Sequence, residues 1–268
     1  MSALITLTTD FGLEDGYVGT MKGVILGINP QAVIVDLSHE IAPQDVREAA
    51  YVLYTAYRYF PPRTVHLVVV DPGVGSERRA IALRTRQAVF VAPDNGVLSY
   101  VVAQEEILGI VHLTNPRYWL AEVSTTFHGR DIFAPVAGHL SRGVPFSELG
   151  QPIHDIVTFP PSQPEARPDG TLVGHILHVD RFGNCITDVR AERLPAEGPL
   201  TVEVAGRRIA GLSPTYAAGE EGALMALIGS VGHLEIAVRG GSAAQTLGAK
   251  AGDEVIVRPG ERRHETAG

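Results

Sequence analysis

One loop of this chain carries an acidic and a basic side chain at a spacing that lets them pair. The largely apolar run 65–70 ends at Asp71, and Arg78 follows seven residues later across a turn that contains Gly73 and Gly75. A run that is apolar on both faces is typical of a strand buried in the middle of a sheet. Such a strand delivers Asp71 to the carboxyl edge of the sheet, where ligands of open α/β sheets bind. We interpret the loop as part of a site, although a β-turn with a surface salt bridge uses the same residues.

Three more predicted strands also end in an acid, namely Asp10, Asp36 and Asp94. Because the carboxyl ends of parallel strands meet at one edge of a sheet, these acids and Asp71 are expected to share a polar crevice.

His128 stands out among the ten histidines because its surroundings, Thr-Thr-Phe-His-Gly-Arg-Asp, are too polar for a core segment. The alternative is a helix-capping loop in which Asp131 serves the helix dipole. A mixed nitrogen and oxygen metal site is a further alternative, with candidate ligands Asp10, Asp36, His39, Asp71, His128 and Asp131. No His-x-x-x-His or His-x-His pair occurs among them, so we predict that the protein uses no metal.

Other common chemistries have no motif in this sequence. The segment GVGSER lacks the third glycine of the dinucleotide fingerprint, and no Gly-Lys-Ser/Thr follows it. No Gly-x-Ser-x-Gly elbow is present, which argues against acyl transfer through a serine. The single cysteine, Cys185, lies in a predicted strand and is interpreted as a small core residue.

Composition narrows the partners and the compartment. The chain has 268 residues, 45% of them hydrophobic, and a formal net charge of −8 without a Lys/Arg cluster. That balance argues against nucleic acid and anionic membranes as partners. A single cysteine excludes an internal disulfide, and the amino-terminal residues lack the features of a signal peptide. We therefore expect a cytoplasmic globular protein.

The pattern along the chain predicts two domains. Strand, loop and helix alternate over residues 1–157, which indicates an α/β domain with a largely parallel central sheet. Four prolines and no apolar periodicity over residues 158–170 predict an extended linker. Short strands separated by glycine-rich turns over residues 171–268 indicate a smaller all-β, barrel-like domain, and the chain is expected to fray after Arg258.

The second domain carries two polar strand ends. A predicted strand ends at Asp180 and is followed by Phe182 and Asn184. Asparagine can pair bidentately with an adenine edge and phenylalanine can stack on the base, although an ordinary β-turn also explains these residues. A second buried strand ends near Ser230, ahead of Glu235, where a plain hairpin is the alternative.

Six motifs together resemble one family. They are TTDFG at 8–12, DPGVGSER at 71–78, PDNG at 93–96, FHGRDIFAP at 127–135, DRFGN at 180–184 and GSVGHLEIA at 229–237. In order and spacing they are similar to the S-adenosyl-L-methionine (SAM) hydroxide adenosyltransferases, or SAM hydrolases, of the fluorinase/chlorinase superfamily. The resemblance implies an α/β amino-terminal domain, a β-barrel-like carboxyl-terminal domain, and a homotrimer with its sites between subunits. It also implies SAM as substrate, adenosine and L-methionine as products, and no cofactor.

The resemblance assigns roles to individual residues. The water-activating set of the family falls on Asp71, Arg78 and His128. The remaining matches bind substrate: Asp10 the ribose hydroxyls, Asn184 the adenine, Asp180 and Ser230 the methionine amino and carboxylate groups, and Glu235 an undefined part of the same segment. Phe182 keeps the base-stacking role that its residue type suggests.

Three other functions stay open at this point. Halogenating relatives carry Tyr followed by Ser or Gly where this chain has His128-Gly129, and they have an added loop that residues 100–115 lack. Hydroxide is therefore expected as the nucleophile, with chloride as the alternative. A SAM- or adenosine-binding sensor without turnover would not need Asp71, Arg78 and His128 together. A metal-dependent hydrolase would lose activity with a chelator.

Overall fold

The structure, a computed structural model, describes residues 4–195 and 198–260. The chain divides into two compact units, Met1–Pro161 and Ser162–Gly268. Within the described residues no helix combines the length and the apolar character needed to cross a bilayer.

The first unit is built around a seven-stranded sheet with the order β2-β1-β3-β5-β4-β6-β7. Strands β2, β1, β3 and β5 are parallel, and β4, β6 and β7 continue the sheet through antiparallel pairs. The elements are β1 Leu4–Thr9, α1 Tyr17–Ile28, β2 Val33–Ser38, α2 Val46–Ala56, β3 Thr64–Val69, β4 Ala80–Arg84, β5 Ala88–Pro93, α3 Ser99–Gln104, β6 Gly109–His112, α4 Ala134–Ser141 and β7 Gln151–Ile153. The predicted α/β domain with a largely parallel sheet is confirmed.

Strand β3 lies at the centre of this unit, and all six of its residues are buried. Val65, Leu67 and Val69 face the core that α1 and α4 cover. The opposite face of the strand carries His66, whose ring stacks on Phe90 at 5.1 Å between centroids. Burial lowers the pKa of His66 to about 4, so this histidine is a neutral core residue at physiological pH.

The second unit is an antiparallel sheet with the order β12-β11-β15-β9-β10-β14-β13, to which β8 adds by pairing with β9. The strands at the two ends of this order, β12 and β13, approach each other, so the sheet is barrel-like as predicted. Its elements are β8 Glu165–Ala166, β9 Leu172–Val179, β10 Cys185–Arg190, β11 Leu200–Val204, β12 Arg207–Ala210, β13 Leu224–Ile228, β14 His233–Val238, α5 Ala243–Leu247 and β15 Glu254–Pro259. Cys185 is fully buried in its core, as predicted.

Some local predictions differ from the structure. Asp36 lies inside β2 rather than after it, because the strand continues through Leu37 to Ser38. The segment predicted as a linker contains β8, so part of it joins the second sheet. Strand β15 extends past Arg258 to Pro259, and the rest of the expected frayed end, residues 261–268, lies outside the described residues. The exact domain boundaries stay a prediction.

Candidate active site

A cleft of about 700 Å³ opens at the carboxyl ends of β1 and β3. Polar and aromatic side chains share its wall, among them Asp10, Tyr17, Gln44, Asp71, Phe127 and His128. The parallel strand order brings Asp10 and Asp71 to the same edge, because β1 and β3 are neighbours in register. The buried central strand therefore presents its terminal acid to a cavity.

Arg78 joins Asp71 to His128 in a group that we call the Asp71 cluster. The Nε of Arg78 donates to the Asp71 carboxylate oxygens at 2.8 and 3.0 Å, and its Nη2 donates to Oδ2 as well. The same Nη2 lies 3.0 Å from Nδ1 of His128. The Arg78 and Asp71 side chains are only 9% and 6% exposed, so the pair is shielded from water on most sides. The sequence prediction that Asp71 and Arg78 pair across their turn is confirmed.

The hydrogen bond from Arg78 defines the protonation state of His128. A guanidinium has donors only, so Nδ1 of the imidazole must accept and the ring proton must lie on Nε2. Burial lowers the pKa of His128, and the positive charge of Arg78 lowers it further. His128 is therefore a neutral imidazole whose Nδ1 lone pair is already engaged.

A single π-helical turn, Gly129–Phe133, links His128 to α4. The N–H of Ala134 bonds to the carbonyl of Gly129 across this turn, which holds one residue more than an α-helical turn. Gly129 is closely packed, since a Cβ there would lie 3.1 Å from the Phe127 ring and 3.3 Å from Val69. Turns of this kind often occur at functional sites, and this one sets the position of His128.

Asp131 lies in the first turn of the helical segment, where an acid favours the helix dipole, and it also holds the preceding loop. Its buried carboxylate accepts hydrogen bonds from the N–H of Ser124 at 2.8 Å and from its hydroxyl at 2.7 Å. Arg130 donates to the same carboxylate at 2.6 Å. The hydroxyl of Ser124 in turn accepts from the N–H of Phe127, so Asp131 fixes the loop that precedes His128.

Two of the four strand-end acids line the cleft and two do not. Asp10 faces it, and its Oδ2 accepts the main-chain N–H of Gln44 at 2.7 Å. Asp36 instead pairs with Lys22 at 2.6 Å and with His39 at 3.0 Å. Asp94 is buried against Arg79. The prediction that all four acids share one crevice is therefore wrong for Asp36 and Asp94, which form structural ion pairs instead.

In the second unit, Asp180 organises the tight turn between β9 and β10, which we call the Asp180 turn. Its Oδ1 accepts the N–H groups of Phe182 and Asn184 at 2.9 and 2.8 Å, and its Oδ2 accepts from the Asn184 side chain at 3.0 Å. Gly183 adopts a φ of 82°, which this turn requires. The turn leaves the Phe182 ring 77% exposed and buries Asn184.

Glu235 is buried in β14, and its Oε1 accepts the hydroxyl of Tyr216 at 2.5 Å. Burial raises the pKa of Glu235 even though the Tyr216 hydrogen bond lowers it. Ser230 lies exposed in the turn between β13 and β14. Sequence analysis missed Tyr216, because the pattern around it resembles an ordinary loop and the partner is nineteen residues away.

Across residues 4–195 and 198–260, no three His, Cys, Asp or Glu side chains form a group that could hold a metal ion. The six candidate ligands are divided between the cleft and separate structural pairs, as in the case of Asp36 with Lys22.

A largely parallel α/β unit with a buried acid–arginine–histidine cluster, followed by an antiparallel β-barrel unit, defines a two-domain enzyme architecture. The models of two domains match this chain: the SAM hydroxide adenosyltransferase N-terminal domain over residues 5–150 and the corresponding C-terminal domain over residues 174–256. The chain therefore belongs to the SAM hydroxide adenosyltransferase family.

Known relatives agree with this assignment. The chain is 41% identical to the (R)-S-adenosyl-L-methionine hydrolase of Salinispora tropica, with 98% of each chain covered. A solved structure of an uncharacterised conserved protein from Thermotoga maritima superposes with a TM-score of 0.89 at 39% identity, covering 95% of this chain and 99% of that one. The fluorinase of Nocardia brasiliensis is 30% identical, with 96% and 97% covered. The chain is thus more similar to the hydrolase than to that halogenating relative.

Proposed function

We propose that this enzyme hydrolyses SAM to adenosine and L-methionine. The observation that carries the proposal is the Asp71 cluster, which places a buried Asp–Arg pair and a neutral His128 at the wall of a cleft. In the reaction a water oxygen bonds to the ribose C5′, the C5′–S bond breaks with its electron pair going to sulfur, and one proton is released. Neither metal nor cofactor takes part in this proposal.

The electrophile needs little help from the protein. A sulfonium is already positively charged and leaves as a neutral thioether, so no acid has to protonate it. The difficult partner is the nucleophile, since water attacks poorly and hydroxide is scarce at neutral pH. The residues of this chain must therefore orient the water and favour its ionised form.

The geometry supports positioning of the nucleophile rather than direct proton removal by Nδ1 of His128. That lone pair already accepts from Arg78, and the Asp71 carboxylate accepts from the same guanidinium. Asp71 holds Arg78 in place, and Arg78 supplies a positive charge that stabilises a hydroxide beside it. The attack of an anion on a cation then cancels charge, which the low exposure of the Asp71 and Arg78 side chains beside it favours.

Substrate binding is proposed from both units. Asp10 would accept the ribose hydroxyls in the cleft of the first unit. Because Asp180 occupies the side-chain N–H of Asn184, the Oδ1 of Asn184 is available to accept from the adenine amino group. The exposed Phe182 ring would stack on the base.

The amino acid part of SAM is proposed to contact three further residues. Asp180 and Ser230 would hold the α-amino and carboxylate groups, and Glu235 would add negative charge in the same segment. We further propose the homotrimer that the resemblance implies, with sites between subunits, which light scattering would test. A cytoplasmic location fits the single cysteine.

Product analysis tests the reaction. The purified protein is incubated with SAM, with and without EDTA and with added chloride, and products are separated by HPLC. Adenosine and methionine in equal amounts, unchanged by EDTA, are expected. A chlorinated nucleoside would favour the halogenase alternative, loss of activity with EDTA would favour a metal enzyme, and tight binding without product would favour a sensor.

A substitution of His128 separates an effect on catalysis from an effect on binding. His128→Ala is expected to abolish turnover while the dissociation constant of SAM changes little, because His128 acts on the nucleophile. An equal loss of binding and turnover would contradict that role.

A further inference from the structure

The turn beside Asp10 at the wall of the cleft has an unusual conformation. The N–H of Asp45 bonds to the carbonyl of Ala42 at 3.0 Å, which closes a four-residue turn with Pro43 and Gln44 at its centre. Gln44 has a φ of 68°. These features match a type II turn, in which glycine normally occupies the position that Gln44 holds here. A glutamine in the left-handed region is strained, and such residues persist only where the surrounding structure holds them.

The strained residue makes a specific contact with the site. The main-chain N–H of Gln44 donates to Oδ2 of Asp10 at 2.7 Å, although the two residues are 34 positions apart. This bond uses one lone pair of Oδ2 and fixes the plane of the carboxylate. It therefore sets the direction in which the Oδ1 of Asp10 faces the cleft.

The amino terminus of α2 holds the turn in this conformation. Asp45 caps the helix by accepting the N–H of Glu48 at 2.9 Å. The Glu48 carboxylate accepts a hydrogen bond from the N–H of Ala42, the first residue of the turn, at 2.8 Å. Both ends of the turn are thus tied to α2, and the left-handed conformation of Gln44 is the result.

A second connection fixes the main chain around Asp10. The N–H of Gly12 donates to the carbonyl of His39 at 2.8 Å, and the hydroxyl of Thr9 is 2.8 Å from Nδ1 of His39. With the loop held at His39, the Gln44 contact orients only the side chain of Asp10.

We infer that the turn Ala42–Asp45 and Glu48 position the Asp10 carboxylate for the ribose hydroxyls, with Glu48 as a positioning residue that never touches the substrate. The inference rests on the proposed function, which gives Asp10 its ribose-binding role. It deepens that function by assigning ribose selectivity to a main-chain N–H and its support.

Calorimetric binding of two nucleosides tests the inference. Adenosine has the ribose hydroxyls and 2′,3′-dideoxyadenosine lacks both. Glu48→Ala is expected to raise the dissociation constant of adenosine by about 3- to 10-fold, which is the scale expected when one hydrogen bond to a charged group is partly lost. The dissociation constant of the dideoxy compound should change by less than about twofold, because this compound has no ribose hydroxyls to donate to Asp10. The KM for SAM should rise with the adenosine constant while kcat stays nearly constant.

Three further variants separate positioning from general damage. Glu48→Gln keeps an acceptor for Ala42 and should restore adenosine binding. Glu40→Ala removes a charge from the same segment and leaves the hydrogen bonds of the turn Ala42–Asp45 intact. The dissociation constants of both nucleosides should therefore stay unchanged. Gln44→Gly keeps both the N–H and the positive φ, so the preference for adenosine over the dideoxy compound should persist even if loss of the side chain weakens the binding of both ligands.

The outcomes that would overturn the inference are distinct from failure of the proposed function. A parent protein that does not hydrolyse SAM would overturn the proposed function, and one that binds both nucleosides equally would remove the ribose role of Asp10. A parent that prefers adenosine, with a Glu48→Ala variant that keeps the full preference, would overturn only the positioning role. Loss of affinity for both nucleosides to the same extent in Glu48→Ala, or a Gln44→Gly variant that loses the preference for adenosine, would overturn it as well.

Discussion

The Asp71 cluster and the Asp180 turn both place an acid at the end of a buried strand, but the groups that donate hydrogen bonds to the acid differ. Asp71 is paired with a guanidinium that also contacts His128. Asp180 is held by two main-chain N–H groups and one amide, all neutral donors. Among the described residues, neither Asp180 nor Glu235 forms an ion pair with a lysine or arginine.

The difference indicates what each region can bind. The Asp71 cluster is nearly charge-balanced and does not need a cation from the substrate, so it suits a small neutral or anionic nucleophile. The Asp180 turn and Glu235 retain negative charge without a protein counter-ion, so they suit a cationic ligand such as an α-ammonium group. We expect changes in the first region to act on kcat and changes in the second to act on KM.

The largest combined effect on activity and stability should come from breaking the Asp71 pair. Arg78→Ala leaves Asp71 as an uncompensated buried charge, which costs about 3–5 kcal/mol in comparable cases. We expect turnover of SAM to fall on the order of 1,000-fold and the melting temperature to drop, as measured by HPLC and calorimetry.

The control for this prediction is Arg86→Ala, which breaks an exposed ion pair with Glu106 between two connecting segments of the same unit. Such pairs contribute about 0–1 kcal/mol, so activity and stability should remain close to those of the parent. Retained turnover in Arg78→Ala would mean that the Asp71 cluster is structural only.

A smaller effect is expected from the Asp180 turn. Asn184→Ala removes the carboxamide that faces the proposed adenine position and one donor to Asp180. We expect the KM for SAM to rise by about 10-fold with kcat changed by less than about threefold, the scale of one or two hydrogen bonds. Steady-state kinetics measures both constants, and a fall in kcat alone would contradict the contrast between the two regions.

The pH dependence of kcat/KM tests the protonation state of His128. Burial and Arg78 lower the pKa of His128 below 6.5, so the ring stays neutral as the pH falls through 6.5 and is protonated only at lower pH. Protonation would place two positive charges side by side and break the bond from Arg78. We expect the acid limb of kcat/KM that belongs to His128 to lie below pH 6.5. A limb above that value would show that Arg78 does not contact the free ring.

The smallest effect is expected at Tyr216. Tyr216→Phe removes the hydroxyl that lowers the pKa of the buried Glu235, so that pKa rises further above 4.5. A carboxyl with a raised pKa in the folded state loses stability as the pH rises through its titration range, so the variant should be destabilised more at pH 8 than at pH 5. We expect a difference of about 1–2 kcal/mol in thermal unfolding, with Tyr59→Phe, which is 74% exposed, unchanged.

Much of this architecture follows from local pattern. The apolar run 65–70 predicted the central strand, and the spacing of Asp71 and Arg78 predicted their pairing, because a short turn limits where both can lie. The barrel-like unit followed from short strands and glycine-rich turns. These features depend on residues that are close in sequence, and such residues constrain each other before any tertiary contact forms.

The rest depended on contacts between distant residues. Asp36 and Asp94 have the same local pattern as Asp10, and only the positions of Lys22 and Arg79 remove them from the cleft. Asp131 lies in the first turn of the helical segment, yet its hydrogen bonds to Ser124, which lies before it in the chain, could not be predicted from that position. The strain at Gln44 had no trace in the sequence, because a glutamine after a proline is compatible with many turns.

The π-helical turn between His128 and α4 has a consequence for how this chain can vary. Relative to a regular helix, Gly129–Phe133 amounts to a one-residue insertion. Deleting a single residue there would convert the turn into ordinary helix, which the core face of α4 could accommodate. Everything upstream would then rotate by about 100° around the helix axis, which carries the imidazole away from Arg78. Loss of one residue in this turn would thus separate the chemistry from the fold, because the imidazole would move while the helix behind it remained.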